Sequence, residues 1–198
     1  MNKKDIQRKR NMSYFIDATK KIIEEEGIEL VTARKVADIA GYNSATIYNY
    51  FENLDHLIFF ASMQYLKEYV LDLPTYLKQV TNPVEKYIKI WECFSVHSFR
   101  NPKIYNLIFF NKLSHNLNDI IKEYYAIFPE ELGEQDQEIV PMLLEKNIYI
   151  RDMEALRSCV TQGYIQKEHI YNVNEMSLLM YQGMLQRMIN NQTNYSEE

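Results

Sequence analysis

The sequence predicts an all-helical protein in two parts: a three-helix unit with a helix-turn-helix over residues 1–52, then a larger helical bundle over residues 53–198. Three observations carry this expectation. The 198 residues include only 5 glycines and 5 prolines, too few for the turn every 8–12 residues or so that a sandwich or barrel requires. No segment alternates with period two for long, whereas apolar residues recur at helical spacing along most of the chain. Two short amphipathic stretches, residues 33–40 and 44–51, are joined by a connection so brief that only a tight turn fits it.

Each element has a local reason. Residues 6–26 place Phe15, Ala18 and Ile22 on one face, and Gly27 stands where a C-terminal cap belongs. Thr32 suits the N-cap of residues 33–40, whose Val36, Ala37 and Ala40 share a side, and Gly41 permits a left-handed turn. Asn43 suits the N-cap of residues 44–51, with Ile47 and Phe51 inward at i,i+4. Asn53 caps a longer helix expected to run to Asp72, ahead of Pro74. Pro83 and Pro102 occupy favoured first-turn positions for helices over 83–99 and 102–111. A helix over 116–128 stops at Pro129, and PEELGEQDQE, residues 129–138, is an acidic break. Helices over 136–147 (kinked or started late by Pro141), 152–166 and 173–190 complete the bundle.

Composition narrows the function. With 46% hydrophobic and 25% charged residues the chain is ordinary for a globular domain and long enough to bury a core. Charged or polar residues interrupt every apolar run before the roughly 18–20 residues of a membrane span, so no membrane partner is expected. The start, MNKKDIQRKR, leads into an amphipathic pattern rather than a signal-peptide core. Cys93 and Cys159 have neither metal-ligand nor redox spacing, which points to the reducing cytoplasm. No phosphate-binding glycine loop, G-x-S-x-G, H-E-x-x-H or C-x-x-C is present, and none of His56, His97, His115 and His169 follows a Glu by three. No catalytic residue, metal site or cofactor is expected, and His56 reads as a solvated or locally bonded side chain.

The net charge of -5 hides an asymmetry. Residues 1–57 carry nine basic and nine acidic groups, so residues 58–198 supply the whole of it. Lys3, Lys4, Arg8, Lys9 and Arg10 form a basic arm at the start. Two short helices joined by a glycine turn after a longer first helix have a geometric use: the second fits the DNA major groove while the first braces it.

The run TARKVADIAGYNSATIYNYFENLDHL, residues 32–57, resembles the DNA-binding segment of the TetR family of bacterial transcriptional regulators. Its anchors are Thr32, Val36-Ala37, Ala40-Gly41, Thr46-Ile47-Tyr48, Tyr50-Phe51 and Leu57, and IDATKKIIEEEGIE, residues 16–29, resembles the family's first helix. The resemblance implies a TetR-like homodimer that binds a double-stranded operator, usually as a repressor, and releases it when an effector binds the larger domain. It places Arg34, Ser44, Ala45 and Asn49 at base-reading positions, and Thr32, Thr46, Tyr48 and Tyr50 at phosphate positions, with Asn43 beside them. Two positions depart from the family: Leu54 replaces a phosphate-touching lysine, and Glu52 puts an acid near the backbone. The basic arm is the expected compensation, reaching phosphate or minor groove. The alternative is a protein-interaction module of the same fold that has lost operator binding.

For the larger domain, Met176, Met180, Met184 and Met188 fall at i,i+4, while Leu178, Leu185 and Ile189 make a second stripe. A helix that is apolar on two sides needs two partners, one of them another subunit. The expected dimer surface is Met153, Leu156, Val160 and Gly163 with Met176, Met180, Gly183, Met184 and Arg187. Tyr164 extends the first of these faces. The aromatic helices 83–99 and 102–111 are expected to line a pocket for a small apolar or aromatic effector. Its residues are Trp91, Phe94, Ser95, Ser98, Tyr105 and Phe109, with His97 and Asn106 as further polar candidates.

Overall fold

The computed structural model describes residues 3–110 and 119–192. The helices are α1 (Lys3–Glu26), α2 (Ala33–Ala40), α3 (Ser44–Ile47), α4 (Leu54–Tyr76), α5 (Pro83–Arg100), α6 (Pro102–Phe110), α7 (Ile120–Ile127), α8 (Val140–Leu144), α9 (Ile148–Thr161) and α10 (Ile170–Ile189). No strand occurs among the described residues. The start of the helix expected at 116, and His115, lie outside them.

The N-terminal turns follow the chemistry of their caps. Thr32 Oγ1 accepts the Lys35 N–H at 3.3 Å, Asn43 Oδ1 accepts that of Ala45 at 2.9 Å, and Asn53 Oδ1 that of His56 at 2.8 Å. Gly41 closes α2 in the left-handed region at φ 76°. Met12, Phe15 and Ile22 of α1, Val36 of α2, Ile47 of α3 and Leu57 of α4 are all fully buried and belong to one hydrophobic cluster. That cluster runs on through α4 into α5, α6 and α7, so the three N-terminal helices are seated on the same core as the bundle.

Several boundaries differ from the sequence expectation. Pro74 does not end α4, which continues to Tyr76. The proline lacks the N–H that would bond the Val70 carbonyl, and Gln135 supplies the missing donor, its Nε2 lying 2.8 Å from Val70 O and 2.9 Å from Leu132 O. The helix expected from residue 136 shrinks to α8. Asp136 instead accepts the Glu138 N–H at 3.1 Å, a local bond that competes with the helix ladder. Finally, α9 begins at Ile148 rather than 152, because Asn147 caps it with bonds from Tyr149 and Ile150 N–H at 2.9 and 3.3 Å. It ends at Thr161, and Gly163 at φ 79° turns the chain back so that Tyr164 N–H meets Cys159 O at 2.8 Å. Tyr164 thus stands beyond the helix on which the sequence had placed it.

Candidate nucleic-acid interface

The second short helix is shorter than the spacing predicted. Regular α3 covers Ser44–Ile47, and Tyr48–Tyr50 form a tightened turn in which Asn49 and Tyr50 N–H reach back three residues, to Thr46 O at 3.2 Å and Ile47 O at 3.0 Å. Thr46 and Ile47 are β-branched and lose side-chain freedom in a helix, so a four-residue run gains little from continuing. Phe51 then drops into the core at 1% exposure. With Ile47 and Phe51 anchored inside, the other face is turned out. Thr32, Arg34, Asn43, Ala45, Tyr48 and Asn49 are exposed, and Ser44, Thr46 and Tyr50 are half-exposed. All nine residues picked from the sequence are therefore at least partly exposed.

Tyr50 is more constrained than the sequence suggested. Its hydroxyl accepts a bond from Asn11 Nδ2 at 2.6 Å, its ring packs 5.8 Å from Phe15, and the Arg8 guanidinium lies 5.9 Å from the ring centre. Asn11 Oδ1 also accepts from Gln7 at 2.9 Å and lies 3.4 Å from the Tyr42 hydroxyl. The basic arm is not an extension of the chain: it is the first two turns of α1. Lys3, Lys4, Arg8 and Arg10 are exposed along it, while Lys9 is half-buried and clasps Glu130 at 2.7 Å beside the Phe128 ring.

Leu54, standing where the family pattern has a lysine, is half-buried and packs on the core. Glu52 is exposed, and its N–H donates to His56 Nδ1 at 3.2 Å. His56 takes the locally bonded of its two expected states and is buried, wedged edge-on between Phe51 and Phe60 at 5.8 and 4.7 Å. Burial holds its pKa below the ordinary imidazole value, against the pull of Glu123 and Glu52. Its Nε2 has no hydrogen-bond partner and lies 3.6 Å from the Glu123 carboxylate on α7.

Behind this surface, α10 has two apolar faces. Leu178, Tyr181 and Leu185 point inward, while Met176, Leu179, Met180 and Met184 remain 65, 60, 64 and 38% exposed. Gly183 and Arg187 are exposed on the same helix, and Gly163 is exposed just past α9. Met153 and Val160 are half-buried. Leu156 corrects the expected dimer surface: it is fully buried within the protomer. Helical periodicity had placed it correctly on a face but could not say which element that face meets.

Only part of the expected pocket lines a cavity. A small, partly open cavity of about 20 Å³, room for one water-sized sphere, lies between Tyr69 of α4, Ile90, Trp91 and Phe94 of α5, Met142 of α8, and Ile148, Arg151, Asp152 and Ala155 of α9. Trp91 and Phe94 line it; Ser95, Ser98, Tyr105 and Phe109 do not. Tyr105 donates to Tyr65 O at 3.3 Å, Ser98 to Ser95 O at 3.3 Å, and Phe109 packs 5.5 Å from Phe94. The further polar candidates join helices instead: His97 meets Asp72 at 3.0 Å, and Asn106 accepts from Gln186 at 2.7 Å.

Sequence reasoning passed over the two charged residues in the cavity wall, Arg151 and Asp152, both 4% exposed. Arg151 Nη1 donates to Met142 O and Leu143 O at 3.0 Å and to Glu145 O at 3.3 Å, closing the C-terminal end of α8. Asp152 accepts from Trp91 Nε1 at 3.0 Å and from the Tyr87 hydroxyl at 3.2 Å, and burial pushes its pKa up to about 7. Adjacent opposite charges inside an apolar helical face were the signal available in the sequence. Among the described residues, no group of three or more His, Cys, Asp or Glu side chains is arranged to hold a metal ion. No described helix is long and apolar enough to cross a membrane.

Residues 15–59 match the family model for bacterial regulatory proteins of the tetR family. No curated protein sequence matches the chain significantly. Among solved structures, the chain is similar to Thermus thermophilus FadR, a TetR family transcriptional repressor in complex with lauroyl-CoA. Identity there is 15% over 89% of this chain and 82% of that one, with a TM-score of 0.58. It is also similar to PfmR, a TetR family transcriptional regulator of the same organism, at 17% identity over 87% of this chain and 83% of that one, with a TM-score of 0.50. Residues 15–59 thus match the N-terminal domain of the tetR family, on a chain that shares the all-helical fold of the TetR-family transcriptional regulators it resembles.

Proposed function

We propose that the protein is a cytoplasmic, homodimeric DNA-binding regulator that represses transcription from a palindromic operator and releases it when a small effector binds the body. In this reading residues 1–52 are the DNA-binding domain and residues 53–198 serve dimerisation and effector binding. The observation that carries it is the outward face of the helix-turn-helix. Arg34, Ala45, Tyr48 and Asn49 project to solvent from helices pinned by buried Val36, Ile47 and Phe51. Ser44, Ala45 and Asn49 meet base edges with Arg34, while Thr32, Thr46, Tyr48 and Tyr50 meet phosphates beside Asn43. The exposed methionine face of α10 is the seam between two copies. Two heads held a helical turn apart, or a multiple of it, then fit two half-sites.

The effector is a small apolar molecule, aromatic or fatty. The aromatic and aliphatic walls around the cavity support this, as does the lauroyl-CoA held by FadR on the same fold.

Fluorescence anisotropy with the duplex upstream of the protein's own gene tests the reading. Affinity should fall steeply with salt, Tyr48→Phe and Thr46→Ala should weaken all duplexes alike, and Arg34→Ala should relax preference at one base pair at about 1–3 kcal/mol. Equal loss on specific and random DNA with Arg34→Ala would show that Arg34 does not read a base. Glu52 and Leu54 favour the second reading, a protein-interaction module. That reading requires the unaltered protein to show no salt-dependent DNA binding.

A further inference from the structure

We infer that Arg8 and Arg10, on the first turns of α1, are phosphate-binding residues that widen the DNA contact, whereas Lys9 between them is withheld from it. The inference rests on the DNA-binding reading above and adds residues that the helix-turn-helix pattern does not contain.

At about 100° per residue along a helix, Asn11 faces one way with Arg8 on one flank and Arg10 on the other. Asn11 is fixed against the recognition segment by its bonds to Tyr50 and Tyr42. The two arginines therefore bracket that segment. Arg8 lies over the ring of Tyr50 at the segment's end. Arg10 is held by Tyr14, whose ring lies 6.4 Å from that of Tyr42, two residues before Ser44 begins α3.

Each guanidinium is oriented with donors to spare. Among the described residues Arg10 bonds only through Nε, 2.7 Å from the Tyr14 hydroxyl, so its two terminal nitrogens keep their donors. Because Asn11 donates to Tyr50, the Tyr50 hydroxyl proton is left over. It and the Arg8 guanidinium can converge on one phosphate. Both arginines are exposed, and neither is within ion-pair distance of a carboxylate among the described residues. Lys9 has the same charge and the neighbouring position, yet its ammonium bonds both oxygens of Glu130, at 2.7 and 2.8 Å. The position filled by Leu54 offers no cation, so the phosphate charge that a lysine there would meet is free for α1.

Three one-charge substitutions separate contact from general charge. A fluorescein-labelled random duplex and the duplex upstream of the gene are titrated between about 50 and 200 mM salt with the unaltered protein, Arg8→Gln, Lys9→Gln and Arg10→Gln. Each lost phosphate contact should lower the slope of log affinity against log salt by about 0.9 for each head engaged. Arg8→Gln and Arg10→Gln should each do so on both duplexes, Lys9→Gln should not, and Arg8→Lys should restore the slope. Circular dichroism melts check that the variants remain folded. Equal slopes for all three variants, whether lowered together or unchanged, would overturn the assignment while the regulator reading stands. No DNA binding by the unaltered protein would overturn both.

Discussion

Replacing Gly183 with leucine should strengthen the protomer and break the pair of protomers at once. Within the protomer a Cβ at Gly183 meets nothing within 4 Å, and the glycine is exposed, so the longer side chain can extend into solvent. Glycine inside a helix costs roughly 0.8–1 kcal/mol relative to alanine, and leucine almost none, so Gly183→Leu should gain about 0.8 kcal/mol. In a chain of this size that is a rise of about 2–3 °C in Tm. At a two-fold seam the substitution occurs twice, and each added side chain forced into a packed interface costs about 1–3 kcal/mol. The dimer then loses about 2–6 kcal/mol, on the order of 30-fold or more in its dissociation constant. Sedimentation velocity over a dilution series reads the second effect, and a melt on monomeric fractions reads the first. An undisturbed dimer would remove Gly183 from the seam, and a lowered monomer melt would refute the open space around it.

Leu156→Ala should behave oppositely, costing about 2–5 kcal/mol of folding stability through a cavity; a loss confined to dimerisation would return Leu156 to the interface. Folded Asp152 holds its proton to about pH 7, against 3.8 as the ordinary value, so it binds more protons folded than unfolded in that interval. Its contribution to stability should therefore fall as pH rises from about 4 to 7 and level off above. Trp91 emission should titrate near pH 7 and cease to do so in Asp152→Asn, and a persistent transition would assign it elsewhere. His56 has the reverse sign: its depressed folded pKa gives stability that is complete above the ordinary value of 6.5 and declines as pH falls below it. Melts of His56→Gln should be flatter than those of the unaltered protein from about pH 7 to 5, and an unchanged slope would reject the assignment.

Much of the N-terminal unit was legible because its determinants are local. Thr32, Gly41, Asn43 and Asn53 each act on residues within four positions, so spacing alone placed α2 and the start of α4. Pro74 misled for the same reason. Its missing donor is replaced by Gln135, sixty-odd residues away, and local rules cannot see that distance. The bundle was legible in its faces but not in their partners. The stripes on α9 and α10 were visible, yet only packing distinguishes Leu156, which is buried, from Met180, which is not. Aromatic density pointed to α5 and α6, and of the residues it named only Trp91 and Phe94 line the small cavity. A ring that packs a core and a ring that lines a cavity have identical letters, and the cavity opens toward α9 instead. Lys9 is the same lesson in charge: five basic residues read alike until one meets Glu130.

The narrowness of the cavity sets a clock. Space of about 20 Å³ admits a water and little else, so any larger occupant must wait for a minor open form. The wall easiest to displace is Met142, whose unbranched side chain sits on the five-residue α8, and α8 is fastened at its end by Arg151. Under such gating the observed association rate rises with occupant concentration only to the opening rate and then becomes flat. The apparent affinity is the intrinsic one scaled by the fraction of time spent open. Response time would then be governed by how often Arg151 releases the last carbonyls of α8, and diffusion of the small molecule would contribute little.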